Sequence, residues 1–208
     1  MTMQLYGPVF SNNVFRPLLV ARHLDLPVEM KAVDLMQGEH KGEAFRAINP
    51  HGRIPVLVDG DYRLWESSAI MMYLAEQKAD PLYPDDKRAR ATIASWMFWN
   101  RSHLFRAVGT IQFERMVKAM FGRGPADEAQ VATALESFHT EMAVMEDRLK
   151  DATSHWLVGD GVTIADYDVA GAFMYADEIA LPMAQYPLST AWLARVKALP
   201  AWAAALKG

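Results

Sequence analysis

The most informative stretch of this sequence spans residues 49–70, where two β-rich runs flank a short turn. The runs are Ile54-Pro55-Val56-Leu57-Val58 and Tyr62-Arg63-Leu64-Trp65, separated by Asp59-Gly60-Asp61. Asp-Gly between two such runs is a strong hairpin signal, because its residues tolerate the positive φ of tight turns. A helical pattern follows, and Ser67 stands in the position of its N-cap.

The sequence before this hairpin has the pattern of a strand, a helix and a second strand. Gln4-Leu5-Tyr6 is a short strand candidate, and apolar residues recur at helical spacing over 14–24 after the good capping pair Asn12-Asn13. Residues 28–33 alternate apolar and polar side chains, as a strand does. The order β-α-β-(turn)-β-β-α predicts an α/β domain over residues 1–78.

The remainder of the chain has a helical pattern and little strand signal. A linker rich in proline and aspartate at 79–88 precedes two long helical stretches, at 92–121 and 128–150. Thr163-Ile164-Ala165-Asp166 has the form of a capping box and predicts the start of a further helix. We therefore expect an all-α domain over residues 88–208.

Composition excludes several classes of protein. Among 208 residues, 21 basic and 25 acidic side chains give a net charge of −4, so nothing favours nucleic acid as a partner. Cysteine is absent, which excludes a disulfide scaffold, thiolate metal sites and a cysteine nucleophile. The six histidines have no close ligand spacing, so we expect no metal site. The absence of a signal-like start and of a long apolar run predicts a cytoplasmic protein with no membrane partner.

Three local features have the chemistry to hold a ligand. Hydroxyl and amide groups in Ser11-Asn12-Asn13, at a helix N-terminus, suit an anion such as a thiolate. In the segment 49–55, a proline at the start of a strand leaves the backbone of Ile54 able to pair with an extended peptide. Glu66-Ser67, at the start of a helix, suits the ammonium and carboxylate of an amino acid.

Each feature also has a simpler structural explanation. The first and third are ordinary helix caps in this alternative, and the second is a loop that enters an edge strand. The three places nevertheless follow the first strand, precede the third and follow the fourth. Ligands of open α/β sheets gather at such strand ends, so together the features indicate a binding site.

Several motifs occur in a characteristic order along the chain. Those in the first half are Gly38-Glu39-His40-Lys41, the run from Asn49 to Leu57, Asp59-Gly60, and the run from Leu64 to Ile70. Those in the second half are Trp156-Leu157-Val158-Gly159-Asp160 and Thr163-Ile164-Ala165-Asp166. Together they resemble the glutathione S-transferases, most closely the serine-type phi and theta classes and their bacterial relatives. The resemblance covers essentially the whole chain. It implies a thioredoxin-like N-terminal domain, an all-α C-terminal domain, a homodimer, and glutathione as co-substrate.

The resemblance also assigns roles to single residues. Ser11 matches the serine whose hydroxyl supports the glutathione thiolate. Ile54 matches the residue whose backbone pairs with the cysteinyl unit, beside a cis-proline matched by Pro55. Glu66 and Ser67 match the anchors of the γ-glutamyl group.

For the glycine end of glutathione and for the thiolate, the resemblance gives more than one candidate residue. His40 and Lys41 match residues that hold the glycine carboxylate, and Arg53 adds a cation where phi-class proteins often have glutamine. Asn13 is a second candidate beside the thiol, as in some bacterial disulfide reductases of the family. Tyr6 lies near the position where other classes carry a catalytic tyrosine, and we prefer Ser11.

The function implied by the resemblance is a detoxifying transfer of the glutathione thiolate to a hydrophobic electrophile. A glutathione-dependent disulfide reductase or peroxidase, and a non-catalytic ligand-binding module, are the alternatives. The expected apolar pocket for the electrophile comprises Phe10, Phe105, Val108, Gly109, Ile111 and Gln112.

Overall fold

A computed structural model describes residues 2–152 and 154–208 and divides the chain into two compact units. The first unit comprises residues 1–84 together with 197–208, and the second comprises 85–196. The helical pattern of the sequence predicted that the whole C-terminal segment belongs to the helical domain. The structure instead groups its last twelve residues with the α/β unit, because the final helix packs there.

The first unit is built on a four-stranded mixed sheet of order β2-β1-β3-β4. The strands are β1 (Met3–Tyr6), β2 (Val28–Lys31), β3 (Val56–Asp59) and β4 (Tyr62–Trp65). Strand β1 runs parallel to β2 and antiparallel to β3, which pairs antiparallel with β4. The predicted hairpin is confirmed. The alternative that the loop at 49–55 enters an edge strand is wrong, because β3 lies between two partners.

Helices α1 (Asn12–His23), α2 (Glu43–Ile48) and α3 (Ser67–Ala75) complete the order expected from the sequence, with a short 3-10 turn at Glu39–Lys41. Helices α1 and α3 pack together, and the apolar side chains of α1 are fully buried. Around Val33, Phe45 and Val56 a second, smaller apolar cluster forms.

The last helix of the chain, α10 (Pro200–Leu206), also packs against α1. The rings of Phe15 and Trp202 meet edge to face, with centroids 4.8 Å apart. Such an aromatic pair contributes about 0.5–1.5 kcal/mol beyond the area it buries. The C-terminal helix is therefore part of the core of the first unit.

The second unit is helical. Its helices are α4 (Lys87–Trp99), α5 (Phe105–Gln112), α6 (Lys118–Met120), α7 (Glu128–Asp151), α8 (Ile164–Ala172) and α9 (Pro187–Lys197). Helical backbone continues from α4 to α6 through two π-turns, Asn100–Leu104 and Phe113–Val117. The predicted long helical stretch is thus present, with two local changes of pitch. No helix in the described part of the chain has the length and apolar character needed to cross a bilayer.

Helix α8 is buried along its whole length and begins at the predicted capping box. The carboxylate of Asp166 accepts hydrogen bonds from the Thr163 backbone N–H at 2.8 Å and from its hydroxyl at 2.9 Å. The same carboxylate accepts from Leu157 N–H and from the indole N–H of Trp192. One aspartate therefore ties the start of α8 to the preceding loop and to α9.

Candidate active site

Three strand ends meet at one edge of the sheet. Tyr6 lies opposite Val56, and Val56 lies opposite Trp65, so the end of β1, the start of β3 and the end of β4 are adjacent. The chain segments beyond these residues carry Ser11, Ile54-Pro55 and Glu66-Ser67. The topology therefore brings together the three features that the sequence analysis selected.

Gly7 turns the chain sharply away from β1 toward α1. Its φ is +135°, and a Cβ there would lie 2.6 Å from Cγ2 of Val14. Only glycine fits this combination of backbone angle and close approach. The turn places Ser11 directly at the N-terminus of α1.

Ser11 is the N-cap of α1 by backbone position but not by side chain. Its φ and ψ are −84° and 121°, and its carbonyl accepts from Val14 and Phe15, whereas its hydroxyl makes no capping hydrogen bond. Asn12 and Asn13 lie inside the helix rather than at its cap. The first turn carries no acidic side chain to offset the positive helix end. The capping alternative for Ser11 therefore fails, and its hydroxyl can donate to an anion.

The segment before β3 is held by the buried side chain of Asn49. Its amide donates to the carbonyl of Arg53 at 2.6 Å and accepts from His51 N–H at 3.0 Å. The peptide bond between Ile54 and Pro55 is cis, as the resemblance implied. The role of Asn49 was not predicted, because its only signal in the sequence is an asparagine directly before a proline.

The 3-10 turn with His40 and Lys41 lies against the same loop. The ammonium of Lys41 donates to the carbonyl of Gly52 at 2.8 Å, and a Cβ at Gly52 would lie 3.0 Å from the carbonyl oxygen of His40. Burial, and secondarily the Lys41 cation, lowers the pKa of His40. Its Nδ1 is buried and has no hydrogen-bond partner among the described residues. Arg53 is exposed, so this corner presents cationic and polar groups.

Glu66 and Ser67 occupy the junction between β4 and α3. Glu66 is the N-cap of α3, and its φ of +73° with ψ of 116° is strained for a residue with a side chain. Such conformations cost about 1–3 kcal/mol and cluster at functional sites. Ser67, predicted as the N-cap, is instead the first helical residue, and its buried hydroxyl accepts a hydrogen bond from Arg16 at 3.0 Å.

Tyr6 directs its hydroxyl away from this edge. The hydroxyl donates to the side-chain oxygen of Gln4 at 3.1 Å, two residues back along β1. The ring packs against the small apolar cluster on the sheet. This geometry favours Ser11 over Tyr6 as the partner of a bound thiolate.

The residues expected to line an electrophile pocket differ in exposure. Phe10 is 49% exposed, and Phe105, Gly109 and Gln112 keep part of their surface accessible. Val108 and Ile111 are fully buried, because their positions on α5 face inward. Fully buried side chains cannot contact a substrate without rearrangement, so we keep only the other four as candidates.

No group of three or more histidine, aspartate or glutamate side chains is arranged to hold a metal ion within residues 2–152 and 154–208. The candidate site consists of hydrogen-bonding and charged groups. It offers a hydroxyl at a helix start, a backbone segment before a cis-proline, a carboxylate beside a hydroxyl, and a cationic corner.

The sheet order, the cis-proline before β3 and the helix starts beside it define a thioredoxin-like unit, followed here by a helical unit. Models of the glutathione S-transferase N-terminal and C-terminal domains match residues 1–76 and 85–200. A glutathione S-transferase from Hyoscyamus muticus is 34% identical over 212 residues, covering 100% of this chain and 99% of that protein. Glutathione S-transferase theta-1 from Mus musculus is 29% identical, over 95% of this chain and 83% of that protein.

Solved structures agree with these relatives. Glutathione transferase F7 from Populus trichocarpa superposes with a TM-score of 0.91 at 27% identity, covering 99% of this chain and 98% of that one. A glutathione S-transferase I bound with lactoylglutathione gives a TM-score of 0.90 at 27% identity, covering 100% and 99%. The chain belongs to the glutathione S-transferase family, and glutathione is the co-substrate of its transfer reaction.

Proposed function

We propose that this protein joins the thiolate of glutathione to hydrophobic electrophiles and that the hydroxyl of Ser11 stabilises the thiolate. The observation that carries this assignment is the uncommitted Ser11 hydroxyl, which stands at the start of α1 and makes no capping bond. A hydroxyl used only to cap a helix would instead accept from the backbone N–H groups of the first turn.

The γ-glutamyl end of glutathione binds at the junction of β4 and α3. Glu66 takes the ammonium group with its exposed carboxylate, and the strained backbone at Glu66 fixes the direction of that side chain. Ser67 takes the carboxylate with its hydroxyl and the positive end of α3. In the middle of the ligand, the backbone of Ile54 pairs with the cysteinyl unit beside Pro55.

The glycine carboxylate binds at the cationic corner. Lys41 supplies the charge, since the lowered pKa of His40 leaves that ring neutral near pH 7. The half-buried ring of His40 adds a polar contact, and Arg53 adds a second cation at the exposed rim. Both ends of the tripeptide thus have anchors, which leaves the thiol at Ser11.

Activation of the thiol follows from charge stabilisation. A free thiol with a pKa near 8.5 is only about 3% ionised at pH 7. A charge-assisted hydrogen bond from Ser11 contributes roughly 1.5–3 kcal/mol, and the N-terminus of α1 roughly 0.3–1 kcal/mol more. Because 1.36 kcal/mol corresponds to one pKa unit, these groups lower the thiol pKa by about two units. Most of the bound glutathione is then thiolate at neutral pH.

The candidate side chains for contact with the electrophile are Phe10 in the first unit and Phe105, Gly109 and Gln112 in the second. Attack forms a bond between the sulfur and the electrophilic carbon, and the leaving group departs with the electron pair. Binding beside the thiolate makes the step effectively intramolecular.

We also propose that the protein is a cytoplasmic homodimer with a detoxifying role. Sedimentation near twice the chain mass would support the dimer, and a stable monomer would refute it.

Two measurements test the proposal. Titration calorimetry with glutathione should give saturable binding at millimolar concentration or below, and absence of binding would leave only a different ligand-binding role. A panel of aryl halides, epoxides, hydroperoxides and glutathione mixed disulfides then identifies the reaction. Faster turnover with mixed disulfides or hydroperoxides than with any carbon electrophile would overturn the transferase assignment and favour a reductase or peroxidase based on Asn13.

A further inference from the structure

Arg16 is a fully buried arginine in the middle of the apolar face of α1. Its exposed fraction is 0%, and it is one of the largest fully buried side chains in the described part of the chain. A buried guanidinium loses its hydration and must be compensated by hydrogen bonds in the protein. Its partners therefore indicate what the cation does in this fold.

Two side chains that accept hydrogen bonds from Arg16 belong to the site described above. Its Nε donates to the carbonyl of Asn12 at 3.2 Å, and its Nη2 donates to the hydroxyl of Ser67 at 3.0 Å. The same Nη2 also donates to the side-chain oxygen of Asn13. One nitrogen of a buried cation thus contacts both Asn13, beside the proposed thiol site, and Ser67, which lies 51 residues after Arg16.

The guanidinium determines which atoms of Ser67 and Asn13 act as hydrogen-bond acceptors. Arginine can only donate, so the Ser67 oxygen must accept from it, and the Ser67 hydrogen remains to donate. Within residues 2–152 and 154–208, that hydrogen has no acceptor, although Ser67 is only 3% exposed. A buried donor without an acceptor is costly, which indicates that an acceptor arrives with the ligand.

The amide of Asn13 is oriented by the same contact. Its oxygen faces Arg16, so its NH2 group is the end directed elsewhere. An amide that turned its oxygen toward the thiol would repel the thiolate. The arginine therefore draws the acceptor oxygens of both side chains toward itself.

We propose that Arg16 is a positioning residue, which acts through Ser67 on the γ-glutamyl carboxylate and through Asn13 on the thiolate. The proposal rests on the proposed glutathione site. It predicts that the cation adds to affinity and to thiol activation without touching the substrate.

S-Methylglutathione separates the two effects, because it keeps both carboxylates and cannot form a thiolate. Its affinity should fall about tenfold in Arg16→Lys, since a lysine ammonium lacks the planar fork of donors. Ser67→Ala should cost a similar factor, and the double variant should be no weaker than Ser67→Ala alone. Arg22→Lys, in the last turn of the same helix, is the matched control and should bind as the wild type does. Losses that multiply in the double variant would overturn the proposal.

Glutathione itself reports the second effect. The readout is kcat/KM for the electrophile, measured at saturating glutathione as a function of pH. The apparent pKa of the bound thiol should rise in Arg16→Lys. This rise should disappear when Asn13→Ala is already present. A merely structural arginine would lower the melting temperature without moving this pKa. An unchanged pH profile of kcat/KM in a folded Arg16→Lys variant would therefore contradict the proposed effect of Arg16 on the thiolate.

A measurement on the wild type covers the case in which Arg16→Lys does not fold. The guanidinium 15N resonances of Arg16 should shift on addition of S-methylglutathione. They should not shift with the analogue that lacks the γ-glutamyl α-carboxylate. Equal responses to both ligands, or none to either in a protein that binds them, would overturn the inference. Failure of the wild type to bind glutathione and S-methylglutathione would instead refute the proposed function.

Discussion

Replacement of Ser11 by alanine tests the central chemical assignment with little structural disturbance. An N-cap side chain normally contributes about 0.5–2 kcal/mol, but the Ser11 hydroxyl makes no capping bond, so stability should change by less than about 0.5 kcal/mol. The lost hydrogen bond to a thiolate is worth roughly 1.5–3 kcal/mol, or about one to two pKa units. Turnover at pH 7 should therefore fall roughly ten- to a hundredfold.

The assay is the pH dependence of kcat/KM with glutathione and an activated aryl chloride. The ratio of wild-type to Ser11→Ala rates should shrink as the pH rises, because solution then ionises the thiol without help. Tyr6→Phe is the control: it removes only the hydroxyl that donates to Gln4, so its profile should match that of the wild type.

Three outcomes would contradict this reasoning. If Ser11→Ala keeps the wild-type profile while Tyr6→Phe loses activity, the thiolate partner is the tyrosine. If neither variant moves the profile, Asn13 becomes the thiolate partner and the serine-type mechanism is wrong. A large loss of stability in Ser11→Ala would show that its hydroxyl caps α1 after all.

Substitutions at four further positions test other features of the fold and the site. Glu66→Gly should stabilise the fold by about 1 kcal/mol, the 1–3 kcal/mol of strain less about 0.5–1 for the entropy of glycine, and should raise the KM for glutathione. Denaturant melts and kinetics check both effects, and an unchanged KM would remove the ammonium anchor. Lys41→Met should raise that KM about two- to fivefold, as an exposed charge pair does. His40→Gln should have less effect at pH 7, because burial lowers the pKa of His40 and so keeps the ring neutral at that pH. Thr163→Ala should lower the free energy of unfolding by about 0.5–2 kcal/mol and Thr163→Ser should not. Equal melting of both would show that the hydroxyl bond to Asp166 is unimportant.

Local patterns in the sequence predicted most of the fold. The hairpin of β3 and β4 follows from Asp-Gly between β-rich runs, and the capping box of α8 follows from Thr163 and Asp166. Both depend on residues close together in the chain. The two π-turns between α4 and α6 were not predicted. Each adds one residue to a single helical turn, which leaves the periodicity of the apolar residues almost unaltered.

The residues proposed to bind the ligand were predicted from the sequence, but the buried residue that positions two of them was not. Ser11, Ile54 and Glu66 were recognised because each follows or precedes a strand, whereas the role of Arg16 depends on Ser67, which is distant in sequence. The available signal was Arg16 itself, a single charged residue inside the apolar run of α1, where the pattern predicts buried positions. The positive φ at Glu66 had no sequence signal, since no glycine marks it.

The packing of α10 against α1 has a consequence for the order of folding during synthesis. The first unit cannot be completed until Trp202 has left the ribosome, although its sheet is encoded in the first 65 residues. Residues 85–196 must be translated in between, which takes roughly 6–20 s at about 5–20 residues per second. During that interval Phe15 lacks the indole that covers it in the finished protein. The nascent glutathione-binding unit therefore passes through a period with exposed apolar surface, and a chain released early, before residue 200, keeps that surface permanently.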